Sequence, residues 1–216
     1  MTGAVAAVSM LSGVSVLADN ISYQNGANYL GQFTDHGNKE VGDQITLATS
    51  DNVITSFKFE YFLNQASGNE QLQVFFRTMD GPNGTPGSVF YTSDPFPALA
   101  GQHAPVNTGM SVVLPSQTFT WSVLFSGIES GAGEKAGLLF YGGPEVGSSD
   151  PTFYWLKPSD NPADVNGWGK ETAVDLPGSE HNNFGARVTT VPEPGTWALL
   201  VGGLTWMGFL GFRRKA

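Results

Sequence analysis

Residues 57–63 read Phe57-Lys58-Phe59-Glu60-Tyr61-Phe62-Leu63. Phe57, Phe59, Tyr61 and Leu63 alternate with Lys58, Glu60 and Phe62, and a period of two is the pattern of a strand with one face against a core. A second run alternates Leu72, Val74 and Phe76 with Gln71, Gln73, Phe75 and Arg77, so the two are expected to pair antiparallel through a connection at 64–69. Further along, Phe119, Trp121, Val123 and Phe125 share one face, and 137–141 (Gly-Leu-Leu-Phe-Tyr) is continuously apolar, as in a strand covered on both faces.

Shorter strand candidates stand at 45–49, 88–91, 111–114, 152–156 and 183–189. The segments between them carry turn chemistry. Asn25-Gly26, His36-Gly37-Asn38 and Val41-Gly42-Asp43 mark 19–44 as loop-like. Residues 80–87 (Asp-Gly-Pro-Asn-Gly-Thr-Pro-Gly) form a rigid turn cluster, and 127–133 reads as a flexible loop. The three prolines of 94–108 suggest a long surface loop. Eight or nine strands without an amphipathic helix before residue 190 predict an all-β fold, an antiparallel β-sandwich of jelly-roll-like type. No fixed period repeats, which excludes a solenoid or propeller.

Composition agrees with that expectation and narrows the function. In 216 residues only 13% are charged, while Gly (28) and Pro (13) are abundant. The net charge is −9, and residues 19–190 alone hold 18 acidic against 7 basic side chains. An acidic body repels phosphate backbones, so nucleic acid is not an expected partner. The absence of cysteine excludes disulfides, thiolate metal sites and a cysteine nucleophile.

The two ends differ from the body. Residues 1–18 (MTGAVAAVSMLSGVSVLA) are uncharged, rich in small residues, and close on Val16-Leu17-Ala18, which fits a signal peptide cleaved after Ala18. A basic n-region is missing, so either the start lies upstream of Met1 or the signal is a weak one. At the other end, residues 191–216 run from Val191-Pro192-Glu193-Pro194 through an uncharged stretch, Thr196 to Phe212, to Arg213-Arg214-Lys215. Seventeen residues span roughly 25 Å as a helix, just short of a hydrocarbon core of about 30 Å. Trp197 and Trp206 suit the interface, Leu199, Leu200, Leu204, Phe209 and Phe212 supply apolar surface, and the basic end belongs on the cytoplasmic side. Pro192 and Pro194 disfavour helix before the span and leave the motif extended and open to a protease.

With its Leu199-Leu200 and Gly202-Gly203-Leu204, this tail resembles the PEP-CTERM protein-sorting domain, all three parts standing in that family's order over 26 residues. The resemblance implies an exosortase as processing partner, membrane lipid around the helix, and export from an exopolysaccharide-producing bacterium. It makes Pro192, Glu193 and Pro194 the processing signal and Arg213 and Arg214 the retention signal. The body, through 57–61, 80–87 and 119–121, resembles the β-sandwich cargo domains attached to such tails, a likeness that carries no assigned activity. The expected organisation is therefore a signal peptide (1–18), a β-sandwich (19–190) and a sorting and anchor segment (191–216). Delivery is expected first to the membrane, then to the cell surface or extracellular matrix.

Chemistry within the body is sparse. His36, His103 and His181 show no metal-ligand spacing, and no G-x-S-x-G elbow is present. Glu60, Glu129, Glu134 and Glu145 lie in no glycosidase-like signature. A non-enzymatic, structural or adhesive protein is the expectation, and no motif calls for a cofactor. Asp160, Asn161, Asp164 and Asn166 offer hard oxygen donors suited to calcium, though not at EF-hand spacing. Tyr154, Trp155 and Trp168 flank that loop and are the candidates for stacking on a glycan, with exopolysaccharide as the ligand of that alternative. Of the three, Trp168, between two glycines, is the ring expected to be exposed.

Overall fold

The computed structural model describes residues 19–157, 167–173 and 182–192. Residues 1–18, the Asp160, Asn161, Asp164 and Asn166 cluster, His181 and the tail from Glu193 onward, with its span and basic end, lie outside the described residues. In chain order the strands are β1 (Asn20–Asn25), β2 (Tyr29–Phe33), β3 (Glu40–Thr46), β4 (Val53–Phe59), β5 (Tyr61–Leu63) and β6 (Gln71–Arg77). Then come β7 (Val89–Thr92), β8 (Phe96–Pro97), β9 (Gly101–His103), β10 (Val106–Val113), β11 (Thr118–Ser126) and β12 (Ala136–Tyr141). The last are β13 (Ser148–Ser149), β14 (Tyr154–Lys157), β15 (Gly169–Glu171), β16 (Asn183–Phe184) and β17 (Ala186–Val191). All pairings are antiparallel, and among the described residues there is no α-helix and none long and apolar enough to cross a membrane.

The strands form two packed layers. One is an eight-stranded sheet, β15-β14-β3-β11-β6-β7, with β13 beside β3 and β8 beside β6. The other joins a four-stranded sheet, β1-β17-β4-β10, to a five-stranded one, β16-β12-β5-β9 with β2 beside β12. The two halves of this layer are continuous, because β4 runs into β5 through Glu60 and β16 into β17 through Gly185. At that bend Glu60 N–H donates to Gly185 O (3.0 Å), Gly185 N–H to Leu139 O (3.2 Å) and Leu139 N–H to Glu60 O (3.2 Å). A side chain at 185 would collide with the Tyr141 ring, so the bend needs glycine there.

The opening alternation holds: Phe57, Phe59, Tyr61 and Leu63 are all buried. The expected pairing of 57–63 with 71–77 does not. β4 pairs with β10 and β17, and β6 with β11, β7 and β8. The two runs face each other across the layers instead, with Phe57 edge-on to Phe76 at 5.0 Å and to Trp121 at 5.3 Å. Such aromatic pairs add about 0.5–1.5 kcal/mol each beyond the area they bury. β12 is buried along its whole length, as its unbroken apolar run predicts.

Two further corrections concern supposed loops. Residues 19–44 contain β1, β2 and most of β3, and 94–108 contain β8, β9 and the start of β10. In β3 the buried positions include Glu40, Gly42 and Asp43, a polar-looking trio that reads as a turn unless their partners are known.

Candidate functional site

Three polar or open places stand out against this framework. The first lies on the outer face of the eight-stranded sheet. Glu40, Arg77, Ser122 and Lys157 project there from neighbouring strands and are buried completely. The Arg77 guanidinium grips Glu40 with two bonds, Nε to Oε1 at 2.9 Å and Nη2 to Oε2 at 3.0 Å. Ser122 Oγ donates to Oε1 (2.6 Å), and Lys157 Nζ stands 3.7 Å from Oε2. Arg77 also donates to the Gly87 carbonyl at 3.3 Å, which ties the turn cluster at 80–87 to the sheet.

Trp168 covers this group. Its ring lies 5.4 Å from the Arg77 guanidinium and 5.9 Å from Lys157 Nζ, and it packs with Phe153, Trp155 and Met79 in a second apolar cluster. Trp168 is only 8% exposed, so the exposure expected from its flanking glycines is not found. Trp155 is buried beside it, with Lys170 over its ring, while Tyr154 faces the opposite way into the main core against Phe140 and Phe184. The three rings proposed for glycan stacking are therefore split between two faces and covered on both. A hydrogen bond joins the Tyr154 hydroxyl to His36 Nε2 (2.8 Å), and burial pushes the phenol up to about 12. Burial, and Lys39 after it, lowers the half-buried His36 below its ordinary range.

The second place is an open cleft of about 470 Å³ between the two layers, where β7 and β8 approach β10. Phe57, Phe59 and Val74 form its floor, Tyr91, Ser93, Asp94 and Phe96 one wall, and Val106 and Asn107 the other. Asn107 Nδ2 donates to the Tyr91 hydroxyl (2.7 Å), linking the edges of the two sheets. Of its lining, Asp94 to Asn107 fall in the stretch expected to be a long surface loop, while Phe57, Phe59, Val74 and Tyr91 fall in expected strands. Asp94 and Asn107 show no period; the pairing of β10 with β4 sets Asn107 beside Phe57, and the pairing of β7 and β8 with β6 brings Asp94, between them, to the cleft.

The third place is a set of buried polar side chains carried by β1, β3 and β16. Tyr23, Asn25, Asp43 and Asn183 are all enclosed there. Burial pushes the Asp43 carboxyl well above the usual carboxylate range and the Tyr23 phenol above its own.

Of the four glutamates Glu60, Glu129, Glu134 and Glu145, three place their carboxylates in separate structural bonds. Glu134 accepts from the Glu129 amide (2.7 Å), and Glu145 from the Ala27 amide (2.8 Å). Glu60 takes an ion pair from Lys58 (3.0 Å) and a hydrogen bond from the Tyr141 hydroxyl. The chain matches no protein-family model and no curated protein sequence.

Proposed function

We propose that this chain is an exported, non-enzymatic protein whose jelly-roll-like β-sandwich is carried to the membrane, processed there, and left at the cell surface or in the extracellular matrix. The tail pattern, Pro192-Glu193-Pro194, apolar span, Arg213-Arg214-Lys215, carries the reading. Where the body ends supports it. β17 runs to Val191, so the sorting motif begins where strand pairing stops. The register Asn20↔Thr190 puts the start of β1 beside that exit. A junction at Ala18 and one near Glu193 therefore leave the domain from the same pole, and both reach the membrane without crossing the fold.

That pole is tied down. Asn20 Nδ2 (2.8 Å) and Thr190 Oγ1 (3.2 Å) both donate to Asp51 Oδ2, and the Ser22, Thr49 and Thr190 hydroxyls bond one another. Cutting the tail beyond this clamp leaves the sandwich intact. The test is cell fractionation in an exporting host that makes an exosortase. The full chain is expected first in the membrane and then outside it, whereas a chain ended at Pro192 reaches the exterior directly. Equal cytoplasmic retention of both would refute the reading.

The cleft favours a second reading, in which the same exported body binds exopolysaccharide. A concave site of a few hundred Å³ with an aromatic floor and polar walls suits a short glycan segment. Retarded migration in gels containing the polysaccharide, lost in Tyr91→Ala, would support it. Unretarded wild-type protein would remove it. Trp168→Ala is a poor probe, because it opens a buried cluster rather than deleting an exposed ring.

A further inference from the structure

Strand β10 (Val106–Val113) is an open sheet edge. It ends the four-stranded sheet, and β4 is its only strand partner among the described residues. At eight residues it is longer than every other described strand that borders a sheet. The opposite edge of its own sheet is covered, since Gln24 N–H donates to Val146 O (3.0 Å) and Ala48 N–H to Ser22 O (2.8 Å). β10 holds no charged residue and no proline, and its Val106 (54%) and Val113 (59%) are more than half exposed. Proteins blunt an open edge with charge, proline or brevity, because its free N–H and C=O groups are a template for another strand.

The ladder to β4 fixes which backbone groups of β10 are free. Phe59 N–H donates to Pro105 O (3.4 Å) and Leu114 N–H to Asn52 O (2.7 Å). Bonded and non-bonded pairs alternate along an antiparallel ladder. Counted inward from those two ends, Asn107 and Val112 turn their N–H and C=O toward β4, while Val106, Thr108, Ser111 and Val113 turn theirs away. The register shift between Thr108 and Val112, with Gly109 at φ 73°, puts the two halves of the strand out of step. That shift sets the four free residues symmetrically about the 109–110 bond. The side chains follow the same symmetry. Met110 and Val112 pack on the core and Asn107 bonds Tyr91 over the cleft, so Val106, Thr108, Ser111 and Val113 face the outer side.

We propose that β10 pairs antiparallel with β10 of a second copy of this chain, the two-fold axis passing by the 109–110 bond. In that register Val106 stands opposite the partner's Val113, and Thr108 opposite the partner's Ser111. The free N–H and C=O groups of all four residues then meet free groups, and each exposed valine meets a valine on the same face. A foreign strand would have to supply that broken spacing, whereas a second copy has it by symmetry. The four-stranded sheet continues across the pair. The paired strands are uncharged, the bodies they join are acidic, and one strand pair is smaller than the about 1,200 Å² of the smallest stable interfaces. Association is therefore weak, and it becomes appreciable where copies are crowded and salt screens their charge.

The absence of cysteine makes a clean test. Val106→Cys and Val113→Cys are made separately in the full chain, purified in detergent, and treated with a short bismaleimide at sub-millimolar protein, each alone and the two mixed. Unlike positions lie side by side in this register, whereas like positions are a strand's length apart, roughly 24 Å. The mixture should give at least tenfold more cross-linked dimer than either variant alone, with a yield that rises with NaCl. Adding Ser111→Pro to both chains should cut the yield at least fivefold and leave far-ultraviolet CD and the urea midpoint unchanged, because the Ser111 N–H points away from β4. No dimer in the mixture would overturn the proposal and leave the edge to a strand of another protein. Equal yields from the mixture and the single variants would overturn it too, since the contact would then lie elsewhere. An undiminished yield from folded Ser111→Pro chains would do the same.

Discussion

Replacing Glu40 by leucine tests the outer-face ion group directly. The carboxylate accepts two bonds from Arg77 and one from Ser122, and it faces Lys157, with all four side chains sealed from solvent. Removing one member of a buried ion group leaves the others charged in a medium that solvates them poorly, and the loss is about 3–5 kcal/mol. That is a few hundred- to a few thousand-fold in the unfolding equilibrium. With a urea m-value of about 2 kcal/mol/M, the midpoint should fall by about 1.5–2.5 M. Trp168, 5.4 Å from the Arg77 guanidinium, provides a fluorescence signal for unfolding. Adding Arg77→Met and Lys157→Met should recover much of the loss, since apolar replacements of a whole buried ion group are often neutral. A loss below about 1 kcal/mol for Glu40→Leu would show that the group carries no such weight and would refute the reasoning.

Other substitutions follow from the same packing. A Cβ at Gly137 would collide with the Thr34 carbonyl oxygen on the neighbouring chain segment, so Gly137→Ala should cost about 1–3 kcal/mol in urea unfolding. Glu70 accepts from the Ser67 hydroxyl (2.6 Å), the Ser67 amide (2.6 Å) and the Gly68 amide (2.9 Å), bonds that hold its carboxyl at about 2 against the usual 4.5. Its folded value lies below the unfolded one, so its contribution is complete above about pH 4.5 and disappears as the pH falls toward 2. Acid titration of Glu70→Gln should show a shallower decline through that window than the wild type.

The alternating faces at 57–63, 71–77 and 119–125 were legible because apolar period and burial coincide there. Pairing was not, because Phe57 and Phe76 satisfy the same pattern whether they lie side by side in one sheet or face to face between two. β3 escaped for a different reason. Glu40 and Asp43 are buried acids, and a sequence shows an acid without showing the Arg77 that pairs with the one or the backbone amides of Gln44 and Phe184 that bond the other. Trp168 misled through its glycines, which supply a turn whose outcome depends on what lies beneath. The cleft of Tyr91, Asp94 and Asn107 had no local signal, since it exists only where two sheet edges meet. The tail is the reverse case, since the expectation for it rests on composition and order alone.

The central claim is that the body is a passenger of its two ends. Intact mass of the mature protein, recovered from an exporting host with an exosortase, tests it most directly. The expected chain begins at Asp19 and stops near Pro192-Glu193-Pro194, without the apolar span or Arg213-Arg214-Lys215. A mature chain that retains both residues 1–18 and the basic end would contradict the account.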